Sequence, residues 1–435
     1  MKVLNLICMN RLTIIFIFVT AFGNAQSIKQ CKERFDNYLN FHGSLNNLVK
    51  FDDNQITIYN NKGLKEFVVH AGELEMLAEF FEHTSLKQQE ELLKLKGTKK
   101  YSKRQRDSVW IYVDDRKKLP KKRNGLPLQG CRVAIDPGHF AASMEDAQVE
   151  QKYLYFAKDS LKNPSDTVKL FESKLTFNTA QLLQKMLEEQ GVQVMITRAK
   201  DNLTSFNCTY NEWLINHQSR VLDSLKAAKV LSPEKYNKLI NDDRYKFFWD
   251  FFRDYDLANR AKKINQFNPH ATAIIHYNVD EKNEPWKKTS NKNFTMTFIG
   301  GAFTSENFEK AETRIHFLRL LLSNQLNHSE KIAANTVSHF NKLLGVEIAG
   351  QLDAQYLKDN CLFTGSKGVY SRNLILCRLI NSPLVYGEAL YQDCEKVCTE
   401  LMKCDVEKYG IKSNDCLLKS ATSYFLAIKQ YLLGL

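Results

Sequence analysis

The sequence of 435 residues predicts an α/β fold: a mostly parallel, twisted sheet flanked by helices, with a small N-terminal α+β region and a helical insertion. From residue 131 onward, short apolar runs typical of strands alternate with helical segments. The helical segment 173–190 carries leucine and methionine on one stripe, and Gly191 follows at its C-terminal end. A second apolar run, 192–198, completes a strand–helix–strand unit. This order favours parallel strands covered by helices on both faces.

Five short apolar runs are the strand candidates of this sheet: 131–136, 192–198, 271–278, 294–300 and 382–387. Two stretches interrupt the alternation. Residues 140–171 have little apolar periodicity and predict a long connection, which in many proteins is a lid or a binding element. Residues 205–255 are helical in pattern and rich in aromatic side chains, and they predict an insertion between strands. Ligands gather at the carboxyl ends of parallel strands, so residues at those ends are the first candidates for a site.

Residues 26–115 have a different pattern, and the sequence assigns this α+β region no role. Its segments 55–60 and 66–71 are predicted to form a hairpin. The segment 73–96 is predicted to form a helix. The basic segment 116–130 includes proline and glycine and predicts a linker. The α/β region that follows is predicted to be one domain, 131–435.

The first 25 residues have the pattern of a secretory signal peptide. Lys2 and Arg11 precede the apolar run 12–22, and the small residues Gly23 and Ala25 follow it. The alternatives are an uncleaved anchor and an ordinary N-terminal helix. We expect a periplasmic or secreted protein that begins near Gln26. No later stretch is long and apolar enough to predict stable membrane insertion.

The net charge of the chain favours an anionic partner. Lysine and arginine number 61 against 49 aspartate and glutamate, a formal charge of +12. Nucleic acid, anionic lipid and an anionic wall polymer all fit such a charge. Export of the protein argues against nucleic acid.

Four of the ten cysteines lie close together near the C-terminus: Cys394, Cys398, Cys404 and Cys416. In an oxidising compartment this cluster predicts one or two disulfides. A structural zinc site is the alternative, but the spacing lacks the close Cys-x-x-Cys pairs that such sites use.

Three residues have the types and positions that a catalytic metal site requires. His139 follows the strand 131–136 after a Pro-Gly turn, Glu172 begins the helix at 173, and His276 lies near the end of the strand 271–278. Two imidazoles and one carboxylate are a common ligand set for catalytic zinc. Their separations match no local zinc motif, so only the fold could bring them together. A histidine near a strand end is more often a hydrogen-bonded structural residue, which is the alternative interpretation.

The order of four motifs resembles that of the zinc-dependent N-acetylmuramoyl-L-alanine amidases of bacterial cell walls. The first is the turn Asp136-Pro-Gly-His139, and the second is Glu172 at a helix start, followed by a strand that ends in Thr-Arg at 197–198. The third is a strand that ends in His-Tyr-Asn at 276–278, and the fourth is a proline-led strand that carries Glu388. The resemblance covers about residues 131–434 and implies that 131–435 is a catalytic domain.

The resemblance implies a mechanism. His139, Glu172 and His276 would bind Zn²⁺, and Glu388 would act as general base and then general acid on the metal-activated water. The bond cleaved would join N-acetylmuramic acid to the L-alanine of the peptidoglycan stem peptide. A non-catalytic peptidoglycan-binding relative and a zinc peptidase acting on stem peptides are the alternatives.

The resemblance also implies further contacts. Arg260 and Asn278 would bind substrate, and a protein activator would be a partner beside peptidoglycan. The chain departs from the family pattern after the turn, where Phe140 replaces a glycine, and in the longer gap before Glu172. Carboxylates in that gap could replace Glu172 as the ligand: Glu145, Asp146 and Glu150. The insertion 205–255 could block the metal until a partner removes it, or could widen the substrate groove.

Overall fold

A computed structural model describes residues 27–84, 89, 125–157, 167–283 and 288–434. The predicted signal peptide and most of the predicted linker lie outside these residues. The chain divides into two compact units. Among the described residues, one unit contains those up to 89 together with 304–324, and the other contains the remainder. The segment 304–324 lies inside the predicted catalytic range 131–435, yet it belongs to the first unit.

The described part of the first unit combines an antiparallel three-stranded sheet with helices. Its elements are β1 (Val49–Phe51), β2 (Gln55–Tyr59), β3 (Lys65–His70), α1 (Ile28–Arg34), α2 (Leu74–His83) and α9 (Ala311–Leu322). The predicted hairpin is therefore found as β2 and β3, and the predicted helix 73–96 is found in its first part as α2. Within this unit, Arg34 Nε donates to the carbonyl oxygen of Leu321 at 2.8 Å, and Arg314 Nε lies 2.6 Å from Glu66 Oε2. These contacts tie α9 to residues far away in sequence.

The second unit is built on one large sheet with the strand order β11-β12-β9-β13-β8-β4-β7, in which β10 also pairs with β9. Its strands are β4 (Arg132–Pro137), β7 (Gln193–Ile196), β8 (Ala271–Asn278), β9 (Phe294–Gly300), β10 (Glu347–Ile348), β11 (Cys361–Phe363), β12 (Val369–Arg372) and β13 (Leu384–Tyr391). This large sheet has seven described strand pairs, and five of them are parallel. The predicted mostly parallel sheet is confirmed.

Helices cover both faces of this sheet, as predicted. One face packs against α4 (Glu172–Glu188), α10 (Gln325–Leu344) and α14 (Asp415–Leu433), and the other against α8 (Arg253–Phe267) and α12 (Ile375–Leu379). Alternate strand residues point to opposite layers. Ala134 and Ile274 pack with Ala261 and Ile264 of α8 on one side. The carboxyl ends of β4, β8 and β13 meet at the same edge.

The insertion is helical, as predicted. It contains α5 (Tyr210–Ala227), α6 (Pro233–Asn241) and α7 (Arg244–Phe247), and a π-helical turn, Phe248–Phe252, leads into α8. Each of the three helices begins at a side-chain cap, which is Thr209, Ser232 or Asp243. Buried aromatic and aliphatic side chains fill its interior: Tyr210, Trp213, Leu222, Leu239, Phe247, Phe248 and Phe252.

The stretch 140–171 is more ordered than its sequence pattern predicts. It contains α3 (Met144–Glu150) and the hairpin of β5 (Tyr153–Ala157) with β6 (Thr167–Phe171). The Ser143 side chain caps α3 by accepting from the backbone N–H of Asp146. A seven-residue helix is too short for its periodicity to be read from sequence.

The other α-helices and strands of the second unit are α11 (Gln355–Asn360), α13 (Glu395–Leu401), β14 (Val406–Lys408) and β15 (Ile411–Ser413). The disulfides predicted near the C-terminus are not found, because all nine cysteines of the described residues are free thiols. Cys394 and Cys398 lie one turn apart at α13, where the Cys398 thiol donates to the Glu395 carbonyl, whereas Cys404 is exposed beyond that helix. Closeness in sequence does not bring these thiols together. No helix among the described residues has both the length and the apolar composition needed to cross a bilayer.

Candidate metal and catalytic site

The turn after β4 places His139 beside His276. Gly138 makes this possible, because a Cβ there would lie 2.2 Å from Cε1 of the His276 ring. Its N–H donates to the carbonyl of Ile275 at 2.9 Å, and His139 then adopts the left-handed region with φ of 57°. The two imidazoles meet edge to face, with ring centroids 4.9 Å apart. The strained backbone of His139 is therefore associated with the placement of its ring beside that of His276.

Glu172 is the first residue of α4 and lies buried against both histidines. Its Oε2 is 3.4 Å from His139 Nε2, and its Oε1 is 3.0 Å from His276 Nδ1. Gln392 Nε2 donates to the same carboxylate at 3.2 Å. Burial raises the pKa of Glu172, but the attraction of His139 and His276 outweighs it and lowers the pKa to about 2. The side chain is therefore an ionised oxygen donor.

His139, Glu172 and His276 form a group that fits a divalent metal. One nitrogen or oxygen atom of each lies within 4.8 Å of those of the other two. Among the described residues, no second group of three or more such side chains converges in this way. Two imidazoles and a carboxylate suit zinc and leave a coordination position open for water. The fold therefore brings together the three residues that the sequence predicted.

Glu150 holds the opposite nitrogen of His139. Its Oε1 is 2.9 Å from His139 Nδ1, and its Oε2 accepts from the backbone N–H groups of Phe140 at 3.1 Å and Ala141 at 3.0 Å. Burial raises the pKa of Glu150, but the attraction of His139 and these hydrogen bonds together lower it below its usual value. This contact leaves Nε2 of His139 facing Glu172, an arrangement that commonly fixes a metal-binding imidazole.

Two other carboxylates that the sequence offered as ligands are bound elsewhere. Glu145 Oε1 lies 2.5 Å from Arg244 Nη1, and Asp146 pairs with Nη2 of the same guanidinium. Both therefore link α3 to the insertion. Of the three alternative carboxylates, Glu150 alone contacts the histidines, and it does so on the side of His139 away from Glu172.

Glu388 lies on β13 directly beside His276 of β8. Its Oε2 is buried, and no described residue makes a hydrogen bond to it. Burial, and then the negative charge of Glu172, raise the pKa of Glu388 to about 8. Two residues earlier, the Tyr386 ring stacks on His276 with centroids 4.4 Å apart. An unpartnered buried carboxyl oxygen next to a candidate ligand group calls for a functional explanation.

Arg260, predicted to bind substrate, is buried and bound to the protein itself. Its Nε donates to Asp256 Oδ2 at 2.7 Å, and its Nη1 donates to the carbonyl of Pro137 at 3.1 Å. Nη1 also lies 3.5 Å from Asp136 Oδ2. A second buried arginine, Arg198, donates to the carbonyl of Gly138 at 3.2 Å. These guanidinium groups fix the turn that carries His139.

Asn278, also predicted to bind substrate, ends β8. Its Nδ2 donates to Tyr356 Oη at 2.7 Å, and its carbonyl accepts from the N–H of Gln392 at 2.8 Å. The Gln392 side chain also bridges Glu172 and the Tyr277 carbonyl. Sequence reasoning missed Gln392, because a glutamine after a strand gives no signal of its role.

A cavity of about 430 Å³ adjoins the histidines. His139, His276 and Arg260 line one side of it, so Arg260 is near the site although its hydrogen bonds point to the turn. The other walls combine apolar and cationic side chains: Lys152, Phe248, Trp249, Arg253, Leu374 and Ile375. The insertion contributes Phe248, Trp249 and Arg253, and thus forms a wall of this cavity.

Arg253 is the cation of the insertion at this wall. Its Nε donates to Asp254 Oδ1 at 2.9 Å, and its guanidinium carbon lies 5.2 Å from the Trp249 ring centroid. In the part of the chain that the structure describes, no acceptor binds its Nη1 or Nη2. By contrast, the acids Asp136, Asp256 and Glu150 are paired with Arg260 or His139. The cavity therefore offers cationic rather than anionic groups to a ligand.

The solved structures with similarity to this chain include amidases. The CwlD amidase from Clostridioides difficile, solved in complex with the GerS lipoprotein, is 15% identical over 69% of this chain and 98% of that one, with a TM-score of 0.37. Ami1 from Mycobacterium smegmatis is 15% identical over 71% and 99%, with a TM-score of 0.38. The catalytic domain of CwlV from Bacillus (Paenibacillus) polymyxa var. colistinus is 15% identical over 69% and 98%, with a TM-score of 0.35.

The family assignment rests on a different comparison. None of the curated proteins compared with the sequence matches it. The model of one protein family, described as N-acetylmuramoyl-L-alanine amidase, matches residues 133–408, which is more than half of the chain. The range includes His139, Glu172, His276 and Glu388. The protein therefore belongs to the N-acetylmuramoyl-L-alanine amidase family and is an enzyme of that class.

Proposed function

We propose that the protein is a zinc-dependent hydrolase that cleaves the amide bond between N-acetylmuramic acid and the L-alanine of the peptidoglycan stem peptide. The observation that carries the proposal is the convergence of His139, Glu172 and His276 beside the unpartnered carboxyl of Glu388. Family membership supplies the reaction class. A non-catalytic relative would not need to retain both the ligand group and an adjacent carboxyl.

In this proposal, His139, Glu172 and His276 would hold Zn²⁺. A zinc ion bound there would polarise the amide carbonyl and lower the pKa of a bound water to about 7. The positive charge of a bound metal would lower the raised pKa of Glu388, so that its carboxylate would accept the proton of the attacking water and deliver it to the leaving amine of L-alanine. Proton transfer of this kind contributes about 10²–10⁴ to the rate. Tyr386 holds the imidazole of His276 by stacking on it.

The cavity beside the histidines is the proposed binding place for part of the substrate. Arg253 presents unsatisfied N–H groups to it and suits a carboxylate of the stem peptide. Arg260 acts mainly by fixing the turn at Pro137, a role that differs from direct substrate binding. Asn278 orients Tyr356 near the site, and its contact with substrate stays a prediction.

Cell-envelope location is part of the same proposal. Peptidoglycan lies outside the cytoplasmic membrane, and amidases of the cell wall work where it is exposed. The N-terminal pattern of residues 1–25 supports a periplasmic or secreted protein. The net charge of +12 suits an anionic wall polymer. A protein activator stays a prediction.

The test is product analysis on isolated peptidoglycan. The purified protein is incubated with zinc, and the released fragments are identified by mass. We expect intact stem peptides with a free L-alanine amino group, and no such release by Glu388→Gln. Glu395→Gln, which changes an exposed carboxylate, is the matched control and should cleave normally. Cleavage inside the stem peptide would instead support a peptidase, and wall binding without cleavage would support a non-catalytic relative.

A further inference from the structure

Phe140, the residue after His139, is buried in the aromatic core of the insertion. Its exposed fraction is 2%, and its ring centroid lies 6.0 Å from that of Tyr210, 5.9 Å from Phe248 and 6.1 Å from Phe252. Phe140 also lines the cavity beside the histidines. The aromatic interior of the insertion therefore extends to a residue that directly follows a candidate metal ligand.

Helix α3 is held by the same insertion at three points. Arg244 of α7 pairs with Glu145 and Asp146 at the N-terminal end of α3. Trp249 Nε1 donates to the carbonyl of Val149 near the other end at 3.1 Å. The Val149 side chain lies in the aromatic core with Phe140. These contacts fix both ends of α3 against the insertion.

Glu150, the last residue of α3, connects this support to the site. Its carboxylate contacts His139 Nδ1 and accepts from the backbone N–H groups of Phe140 and Ala141. One side chain thus fixes the ring and the backbone of the His139 turn. Since α3 is attached to the insertion, the position of Glu150 depends on the insertion as well.

We propose that the insertion acts as a support that positions His139 for metal binding, through Phe140 on one side and through α3 and Glu150 on the other. The inference rests on the proposed function, because it takes His139 as a metal ligand. The insertion therefore favours the metal-bound site. This role is the opposite of an inhibitory insertion that blocks the metal until a partner removes it. Glu150, Phe140 and Trp249 are positioning residues, since they act through His139.

The test measures Zn²⁺ affinity directly, by competition with a chromophoric chelator, in the full-length protein. Glu150→Gln removes the charge that faces His139 Nδ1, and Trp249→Phe removes the hydrogen bond to Val149 but keeps an aromatic ring. Groups that orient a metal-binding histidine typically change metal affinity by about 10–100-fold. We expect a weakening of about tenfold or more in Glu150→Gln, and of several-fold in Trp249→Phe.

Arg220→Gln is the matched control for a third variant, Arg244→Gln. Arg220 also lies on the insertion, but it is exposed and contacts His217. We expect weaker Zn²⁺ binding in Arg244→Gln and unchanged binding in Arg220→Gln. The melting temperature of each metal-free variant shows whether it is folded. The visible absorption of the Co²⁺-loaded protein reports the ligand geometry, and we expect it to shift in Glu150→Gln.

The outcomes separate the two proposals. Absence of stoichiometric Zn²⁺ binding to the wild-type protein would contradict the proposed function itself. Tight wild-type binding that stays the same in folded Glu150→Gln and Trp249→Phe would overturn the support role alone. Tighter binding in either variant would indicate that the insertion hinders the metal, and would overturn it too.

Discussion

The large sheet and the helical insertion contribute to the site in different ways. The sheet supplies the candidate reacting groups, because His276 and Glu388 lie side by side on paired parallel strands and His139 follows the end of a third. The insertion supplies no candidate ligand, but its aromatic core reaches the residue next to His139. The candidate reacting groups and the proposed support therefore come from separate parts of the second unit. Substitutions in the two regions should therefore change different properties of the protein, such as kcat or stability. The following predictions use that difference.

The largest effect is expected for Glu388→Gln, a change in the sheet. Loss of the proton acceptor should lower kcat by about 10²–10⁴-fold. Zn²⁺ affinity should change little, since the metal ligands are retained. Steady-state kinetics on a muramoyl peptide and chelator competition measure the two quantities. A kcat within a few-fold of wild type would contradict the catalytic role of Glu388.

The next effect is expected for Phe140→Ala, a change in the insertion core. Removal of a fully packed phenylalanine leaves a cavity and should lower the free energy of unfolding by about 3–5 kcal/mol. Denaturant titration of the metal-free protein measures this loss. Phe363→Ala is the control, because Phe363 is 43% exposed and should lose much less. Equal losses in the two variants would show that Phe140 is not anchored in the insertion.

Gly138→Ala tests the contact between the two histidines. The new methyl group would meet the His276 ring, and such overpacking typically costs about 1–3 kcal/mol. Because the ring must shift, Zn²⁺ affinity should fall together with stability. Gly72→Ala is the control, since a Cβ there meets no atom within 4 Å. Unchanged Zn²⁺ affinity in Gly138→Ala would mean that His276 can move without harm to the site.

The smallest effect is expected for Arg253→Gln at the cavity wall. Loss of the cation should raise KM several-fold for a muramoyl dipeptide with a free carboxylate, with little change in kcat. The same peptide with that carboxylate amidated should be affected less, because it has no negative charge to lose an interaction with. Kinetics on the two peptides give the comparison. An equal change for both peptides would exclude carboxylate recognition by Arg253.

The sheet and its candidate ligands were predictable from sequence because their signals are local. A short apolar run followed by Pro-Gly places His139 at a strand end, and an amphipathic helix places Glu172 at its start. The shared edge of parallel strands then accounts for His276 meeting them. The order of motifs in the family supplied Glu388, which no spacing argument would have selected.

The supporting contacts were not predictable, because they depend on distant packing. Glu150 and Glu145 are both acids in one short segment, and only the capped turn of α3 decides which of them faces His139. Phe140 could be recognised in the sequence as unusual, but its burial requires the insertion that begins some 65 residues later. The packing of α9 with the N-terminal unit likewise follows from contacts that no local pattern records.

The last helix of the chain has a consequence for when the site is completed. The Tyr424 hydroxyl of α14 donates to the carbonyls of Ile274 at 3.3 Å and Gly387 at 3.1 Å. The side chain at 387 must be absent for this approach, because a Cβ there would lie 2.2 Å from the hydroxyl. The strands that carry His276 and Glu388 are thus joined by a residue of α14, which follows both strands in the sequence. During synthesis, the two strands obtain this link only after Tyr424 has been made, so a chain that stops between Glu388 and Tyr424 lacks this connection at the candidate site.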